Sequence, residues 1–327
     1  MRASCLLTGL GACAGAGALA GGAMLLYANR VGLTRFTTRT EQVELGGRTS
    51  GGAGEGTAGS SAAPLLRILH ISDIHYVPGQ RRKAEWLKGL ARLEPDLVVN
   101  TGDNLSDHDA GPEVLEALAP LLEFPGVFVP GSNDYYAPKR KNPLRYFLGP
   151  SQLDEDAVEL PWREFFDQLG DRGWVNLANR THVAEIAGHR LEFSGVDDPH
   201  IDLAEFQGWP AGEPGSAEQP SPALQIGVAH APVSSALQSF AQPDPASGKR
   251  ADLVLCGHTH GGQICLPGGH ALVTNCDLPR RQAKGLSSIR TPGGHEVPLH
   301  VSAGIGTSAK APIRLNCPPE ATLLELR

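Results

Sequence analysis

Five short apolar runs punctuate the chain, and each stops abruptly at polar residues. They are Leu65–Ser72, Leu97–Thr101, Val127–Val129, Leu224–Ala229 and Leu253–Cys256. Runs rich in Val, Ile and Leu and bounded by Gly or Pro predict buried strands. Between them the period changes. Trp86, Leu87, Leu90 and Leu93 fall on one face of a helix predicted over Gln80–Leu93. Further helices are predicted over Glu113–Leu122 and over Trp162–Leu169, the latter stopping near Gly170. Thr40–Leu45 predicts a short edge strand. Gly46–Pro64 is a Gly/Ser/Ala-rich linker, and Gln207–Pro222 is a Gly/Pro-rich surface loop. No internal repeat is evident. Strands alternating with helices predict an α/β domain over residues 65–327.

The residues that follow each run carry the chemistry. In chain order they are Asp73-Ile74-His75, Gly102-Asp103-Asn104, Gly131-Ser132-Asn133-Asp134, His230, and Gly257-His258-Thr259-His260 followed by Gly261-Gly262-Gln263. Open α/β sheets bind ligands beyond the carboxyl ends of their strands. Asp, His and Asn are donors for hard to borderline divalent cations, and glycines let the backbone turn sharply enough for the rings to share one site. No Cys-x-x-Cys pair accompanies them, which excludes a cysteine-built structural zinc site. Singly, Asp73 reads as a helix cap, Asp103 as a turn residue and His230 as a satisfied core histidine. Their joint occurrence at five strand ends selects the metal reading.

In this order the motifs resemble the calcineurin-like metallophosphoesterase family, which carries Asp-x-His, Gly-Asp, Gly-Asn-His-Asp/Glu, a lone His and Gly-His-x-His. The tail Gly261-Gly262-Gln263 and the run Gly304–Ser308 to Pro312-Ile313-Arg314 resemble a membrane-linked bacterial branch, some members of which are similar to UDP-2,3-diacylglucosamine pyrophosphohydrolases. The resemblance implies a four-layer αββα sandwich of two mixed sheets. It also implies two divalent metal ions (Mn²⁺, Fe²⁺, Zn²⁺ or Mg²⁺) and hydrolysis of a phosphoester or phosphoanhydride through a metal-bridging hydroxide. Carried over by position, Asp73, His75 and His260 would hold one metal, His230 and His258 the second, and Asp103 would bridge them.

The sequence departs from that pattern at Gly131-Ser132-Asn133-Asp134. Without a gap, Ser132 replaces the family's ligand Asn, and Asn133 replaces the His that helps the leaving group depart. With a one-residue slip, Asn133 remains a metal ligand and Asp134 takes the proton-handling place. Neither register keeps the imidazole. General-acid help is worth roughly 10²–10⁴-fold, so its loss predicts a preference for good leaving groups such as phosphoanhydrides or aryl phosphates.

Composition narrows the partners. The net charge of −7 leaves no basic footprint for nucleic acid. With only 6% aromatic residues and no motif resembling a base clamp, a cyclic-nucleotide substrate has little support. Ala3–Asn29 contains no charged side chain, and Ala3–Ala28 is long enough to cross a bilayer. Residues 1–30 are therefore expected to be a membrane anchor or a cleaved signal, with residues 31–64 joining it to the catalytic domain. Cys256, Cys265, Cys276 and Cys317 lack a disulfide-like spacing and read as buried thiols, with Cys256 turned into the core. Ala137–Ser151, with Lys139, Arg140, Lys141 and Arg145, reads as a solvated loop or a lid. Asp197, Asp198 and His200 read as turn residues or supports for the site. Lys310 and Arg314 are candidates for contact with the substrate phosphate. A phosphorylated small molecule or lipid is the expected substrate. The alternative is a membrane-attached, metal-binding module whose catalysis is weakened.

Overall fold

The computed structural model describes residues 21–45, 63–138, 156–211, 223–307 and 312–327. Its strands, in chain order, are β1 (Thr37–Val43), β2 (Leu66–Ile71), β3 (Leu97–Asn100), β4 (Gly126–Phe128), β5 (Trp174–Asn176), β6 (Arg180–Ile186) and β7 (His189–Gly195). They continue with β8 (Leu224–Ala229), β9 (Leu253–Cys256), β10 (Cys265–Leu266), β11 (His270–Ala271), β12 (Gly285–Arg290), β13 (Glu296–Val301) and β14 (Glu320–Leu326). One six-stranded sheet runs β1-β14-β2-β3-β4-β5, and a second runs β12-β13-β9-β8-β7-β6. β10 and β11 form a small separate ladder.

Both sheets are mixed. In the first, β2, β3, β4 and β5 are parallel neighbours, while β14 runs antiparallel to β2 and parallel to β1. In the second, β7, β8, β9 and β13 are parallel neighbours, and β6 and β12 pair antiparallel at its edges. The parallel strands in each sheet thus end on a common edge, which is where the polar residues of the five runs emerge.

Period-two alternation decides the layers. Along β2, Leu66 and Ile68 enter the core between the sheets, whereas Leu69 and Ile71 enter the core beneath the helices. Along β9, Leu253 and Leu255 face the other sheet, and Val254 and Cys256 face outward. The helix Arg81–Gly89 covers the outer face of the first sheet with Leu87, Gly111–Leu118 with Val114 and Leu118, and Trp162–Asp171 with Phe165, Phe166 and Leu169. Ser234–Ala241 covers the second with Leu237 and Phe240. The result is the expected helix–sheet–sheet–helix order, with Cys256 in the outer core.

The observed limits refine the sequence expectations. The edge strand lies at Thr37–Val43, and all seven of its residues pair with β14, so the sandwich begins before residue 65. Residues 21–30 are helical. Met24, Leu25, Leu26 and Tyr27 are exposed there. The helix end is tied to the far end of the chain: Arg314 N–H donates to Ala28 O (3.0 Å) and Asn29 Nδ2 donates to Pro312 O (2.7 Å). No described helix is long and apolar enough to cross a membrane. The rest of the apolar run lies outside the described residues, as do Lys139, Arg140, Lys141, Arg145 and Lys310.

Candidate metal centre

Each ligand-type residue sits one to four positions past a strand, where the chain must turn back at once. Asp73 (φ 51°), His75 (φ 44°), Asp103 (φ 55°), His258 (φ 70°) and His260 (φ 50°) all adopt the left-handed region. That conformation costs a non-glycine residue on the order of 1–2 kcal/mol, and it persists where surrounding structure over-determines it. The turns need room as well. A Cβ on Gly257 would lie 1.9 Å from Ser72 Oγ, and one on Gly131 would lie 2.3 Å from Asp103 Oδ1.

These turns bring six side chains from both sheets together. Asp73, His75 and His260 form one buried cluster, and Asp73, Asp103 and His230 form a second that shares Asp73. His75 Nε2 is 3.2 Å from His260 Nε2, and Asp73 Oδ1 is 3.6 Å from His260 Nε2. Asp103 Oδ2 lies between the halves, 3.3 Å from His75 Nε2 and 3.5 Å from His230 Nε2. His258 Nδ1 is 3.3 Å from His230 Nε2. Two donors about 2.1 Å from one cation and roughly 90–110° apart are themselves about 3.0–3.4 Å apart. Three of these five separations fall in that range, and the Asp103–His230 and Asp73–His260 contacts, at 3.5 and 3.6 Å, lie just beyond it. Facing imidazole lone pairs also repel unless a cation or proton lies between them. The donor set therefore fits divalent metal.

The outer atoms of the rings are held in place. His230 Nδ1 donates to Thr101 O (2.6 Å), which turns Nε2 toward Asp103. His258 Nε2 lies 3.2 Å from both the carbonyl oxygen and the side-chain Nδ2 of Asn275, which leaves Nδ1 facing the cluster. His75 Nδ1 contacts Ser106 Oγ at 2.9 Å. Asp73 Oδ2 accepts from Ser72 Oγ (2.6 Å) and from His258 N–H (3.0 Å). Lys83 Nζ donates to Ile74 O (2.6 Å) and His75 O (3.2 Å), fixing the turn from below. Such supports orient ligands and tune their basicity. Nothing in the sequence marked Ser106, Asn275 or Lys83, because an isolated polar residue does not reveal what it faces.

Burial sets the charge states. It lowers the pKa of His75 to about 4 and holds His258 and His260 well below the usual histidine range, so these rings are neutral and offer lone pairs. Burial raises Asp73 to about 6. At Asp103 burial opposes the charge, yet His230 and His75 hold the carboxyl well below its ordinary range. His230 responds in kind: burial disfavours its cation, but Asp103 and Asp198 raise its pKa well above the ordinary value. Asp103 and His230 thus favour each other's charged forms, and a bound cation would compete with that proton.

The Gly131–Asp134 loop separates the two roles expected of it. Asn133 reaches the cluster, its backbone N–H donating to Asp103 Oδ1 and its Nδ2 to Asp103 Oδ2, both at 2.7 Å. Asp134, the other candidate, is absent from both clusters of possible metal ligands. It is fully buried, and its carboxylate accepts from the backbone N–H groups of Asp103 (2.8 Å), Asn104 (2.7 Å) and Gly131 (3.0 Å). It ties two loops together. Burial, with Asp103 nearby, raises its pKa to about 7.

Arg314 is corrected. It is only 1% exposed, and its guanidinium donates to the carbonyl oxygens of Ala303 (2.8 Å), Gly304 (3.0 Å) and Gly306 (Nε, 3.0 Å). It staples the C-terminal run behind His260 and is not presented to a substrate. The Asp197–His200 turn lies at the centre's rim. Tyr135 Oη donates to Asp197 (2.8 Å), and the His200 ring packs 4.4 Å, centroid to centroid, from His258.

Comparison with known proteins shows the family. The profile of the calcineurin-like phosphoesterases matches residues 66–262. The chain is 30% identical over 207 residues to a Bos taurus protein named transmembrane protein with metallophosphoesterase domain, covering 61% of this chain and 41% of that one. It is 29% identical over 272 residues to phosphodiesterase YaeI of Escherichia coli (strain K12), covering 81% and 83%. A solved dimetal phosphatase from Danio rerio aligns over 74% of this chain and 88% of its own, with 11% identity and a TM-score of 0.35. This chain spans less than half the length of the bovine relative. With the family profile matched across most of the sandwich, and its motifs gathered at one buried centre, the chain belongs to the calcineurin-like phosphoesterase family.

Proposed function

We propose that this chain is a metal-dependent hydrolase of phosphoesters or phosphoanhydrides. The observation that carries the reading is the pair of buried clusters sharing Asp73, with Asp103 Oδ2 between His75 and His230. Asp73, His75 and His260 would hold one divalent cation, His230 and His258 the other, and Asp103 would contact both. Asn133 orders Asp103 and, with its amide turned over, would offer an oxygen to the same point. Bound cations would supply Lewis acidity at the phosphoryl group and activate water. The neutral rings of His75, His258 and His260 keep their lone pairs available, and the dry surroundings strengthen every charge interaction inside.

The finer reading is a membrane-attached enzyme acting on a lipid-linked or nucleotide-diphosphate substrate. Its supports are the uncharged run Ala3–Asn29, the exposed Met24, Leu25 and Leu26, and the word transmembrane in the name of the bovine relative. A metal-binding module without turnover is the competing reading, favoured only by the imidazole missing from the Gly131–Asp134 loop. Hydrolysis of bis-p-nitrophenyl phosphate by the full chain, with and without Mn²⁺, separates the two. Mn²⁺-dependent turnover that disappears in Asp103→Asn is expected. Two bound metals with no turnover of this or any phosphoanhydride would favour the module.

A further inference from the structure

The Gly131–Asp134 loop carries no imidazole, yet the neighbouring turn carries one that the proposed chemistry has not used. His200 stands five residues past the end of β7, the strand beside β8, whose own end delivers His230. Its ring lies against His258 at 4.4 Å between centroids, with 46° between the planes, and it is only half-buried, so part of it remains exposed beside the centre. The two loops are fastened to each other. Tyr135 Oη, at the end of the short helix that begins at Ser132, donates to both oxygens of Asp197 (2.9 and 2.8 Å). Asn179 Oδ1 accepts from Asp197 N–H (2.8 Å), and Asp198 Oδ1 accepts from His200 N–H (2.8 Å), so the turn presenting the ring is held from both sides. Asp198 itself is fully buried, and its carboxylate is held by the backbone N–H groups of His200 and of Ser132, a further tie between the two loops.

We propose that His200 replaces the missing imidazole: it reaches across from the adjoining strand end and donates a hydrogen bond to the leaving-group oxygen of the phosphoryl substrate. The assignment rests on the hydrolase reading. A neutral imidazole already carries one N–H, so the donation does not depend on the ring being charged. Water adds to phosphorus, the bond from phosphorus to the leaving oxygen breaks, and the donor stabilises the charge that develops there. Donors placed at developing charge contribute about 10²–10³-fold. The preference for good leaving groups expected from the sequence is accordingly weakened, because the chain has recovered the donor from another strand.

The test compares the full-length wild type with His200→Ala and His200→Gln, each loaded with Mn²⁺ and assayed for bound metal. Two phosphodiesters that differ only in leaving group, p-nitrophenol against phenol, are hydrolysed, and inorganic phosphate is titrated by calorimetry. His200→Ala should keep its metal, lose about 10²-fold on the phenyl ester and far less on the p-nitrophenyl ester, and bind phosphate more weakly. His200→Gln, which retains an N–H donor, should recover part of each loss. Equal losses on both esters, loss of metal in His200→Ala, or unchanged phosphate binding with unchanged turnover would each overturn the assignment while leaving the hydrolase reading intact. A wild type that binds no metal would overturn both. If the wild type binds metal but cleaves neither ester, the phosphate titration decides: unchanged affinity in His200→Ala overturns the assignment.

Discussion

The interior of each central strand and the few residues beyond its end follow opposite rules. Inside β2 and β9, side chains alternate between two apolar cores and the backbone is regular. Just past those ends, and past β3, the backbone turns left-handed at Asp73, His75, Asp103, His258 and His260, and polar groups are buried at close quarters. The interiors stabilise the sandwich. The ends are costly in every local term: left-handed backbone, desolvated carboxylates, neutral rings pressed together. Such an arrangement persists because the interiors hold it and because a bound cation would convert mutual repulsion into ligation.

The contrast predicts that damage to the two regions has different signatures. The largest effect should come from His75→Ala: metal-dependent hydrolysis falls more than about 100-fold, beyond the 10–100-fold typical of residues that only support a ligand. Thermal stability of the metal-free protein should change little, as a melt in EDTA would show. Ile68→Ala, in the core between the sheets, should do the reverse. It is expected to cost about 2–5 kcal/mol in urea unfolding, while the folded fraction still binds its full complement of metal.

A pH experiment sharpens the same contrast. Burial raises the Asp73 carboxyl from 3.8 to about 6 in the metal-free fold. An acid whose folded pKa is raised favours the folded state while it is protonated, and this contribution is lost as pH rises through about 6. Asp73→Asn should therefore stabilise the metal-free protein by about 2–3 kcal/mol above pH 6 and by little near pH 4. Chemical unfolding across that range checks it, and added Mn²⁺ should reverse the order by favouring the wild type. The smallest effect belongs to Cys256→Ala. Although two residues from His258, Cys256 faces the outer core of the second sheet. A cost of about 1 kcal/mol with metal content unchanged is expected, measured by unfolding and metal analysis.

What the sequence revealed follows the same division. The interiors were legible because apolar runs are continuous, and β8 and β9 matched the sequence runs residue for residue. The clustered Asp and His residues were legible as candidates because such residues at the end of an apolar run have few structural reasons to be there. Partnerships across the chain were not. Pairing of β14 with both β1 and β2 joins residues more than 250 positions apart, and no local pattern specifies it. The surroundings of Asp134 were hidden for a related reason: a carboxylate that ties loops and a catalytic acid look alike in sequence, and its bonds to the backbone N–H groups of Asp103 and Asn104 appear only in the fold. His200 followed a strand end as the others did, but its Asp-Asp-Pro context also reads as a turn, and the contact with His258 was needed to connect it to the centre.

The central claim is that these strand ends form one two-metal centre. The most direct test is the number of metal ions per folded chain, measured by plasma mass spectrometry after loading the full-length protein with Mn²⁺ and removing unbound metal. Two ions per chain in the wild type, and fewer in Asp103→Asn, are predicted. One ion or none in the wild type, or two in both proteins, would contradict the account.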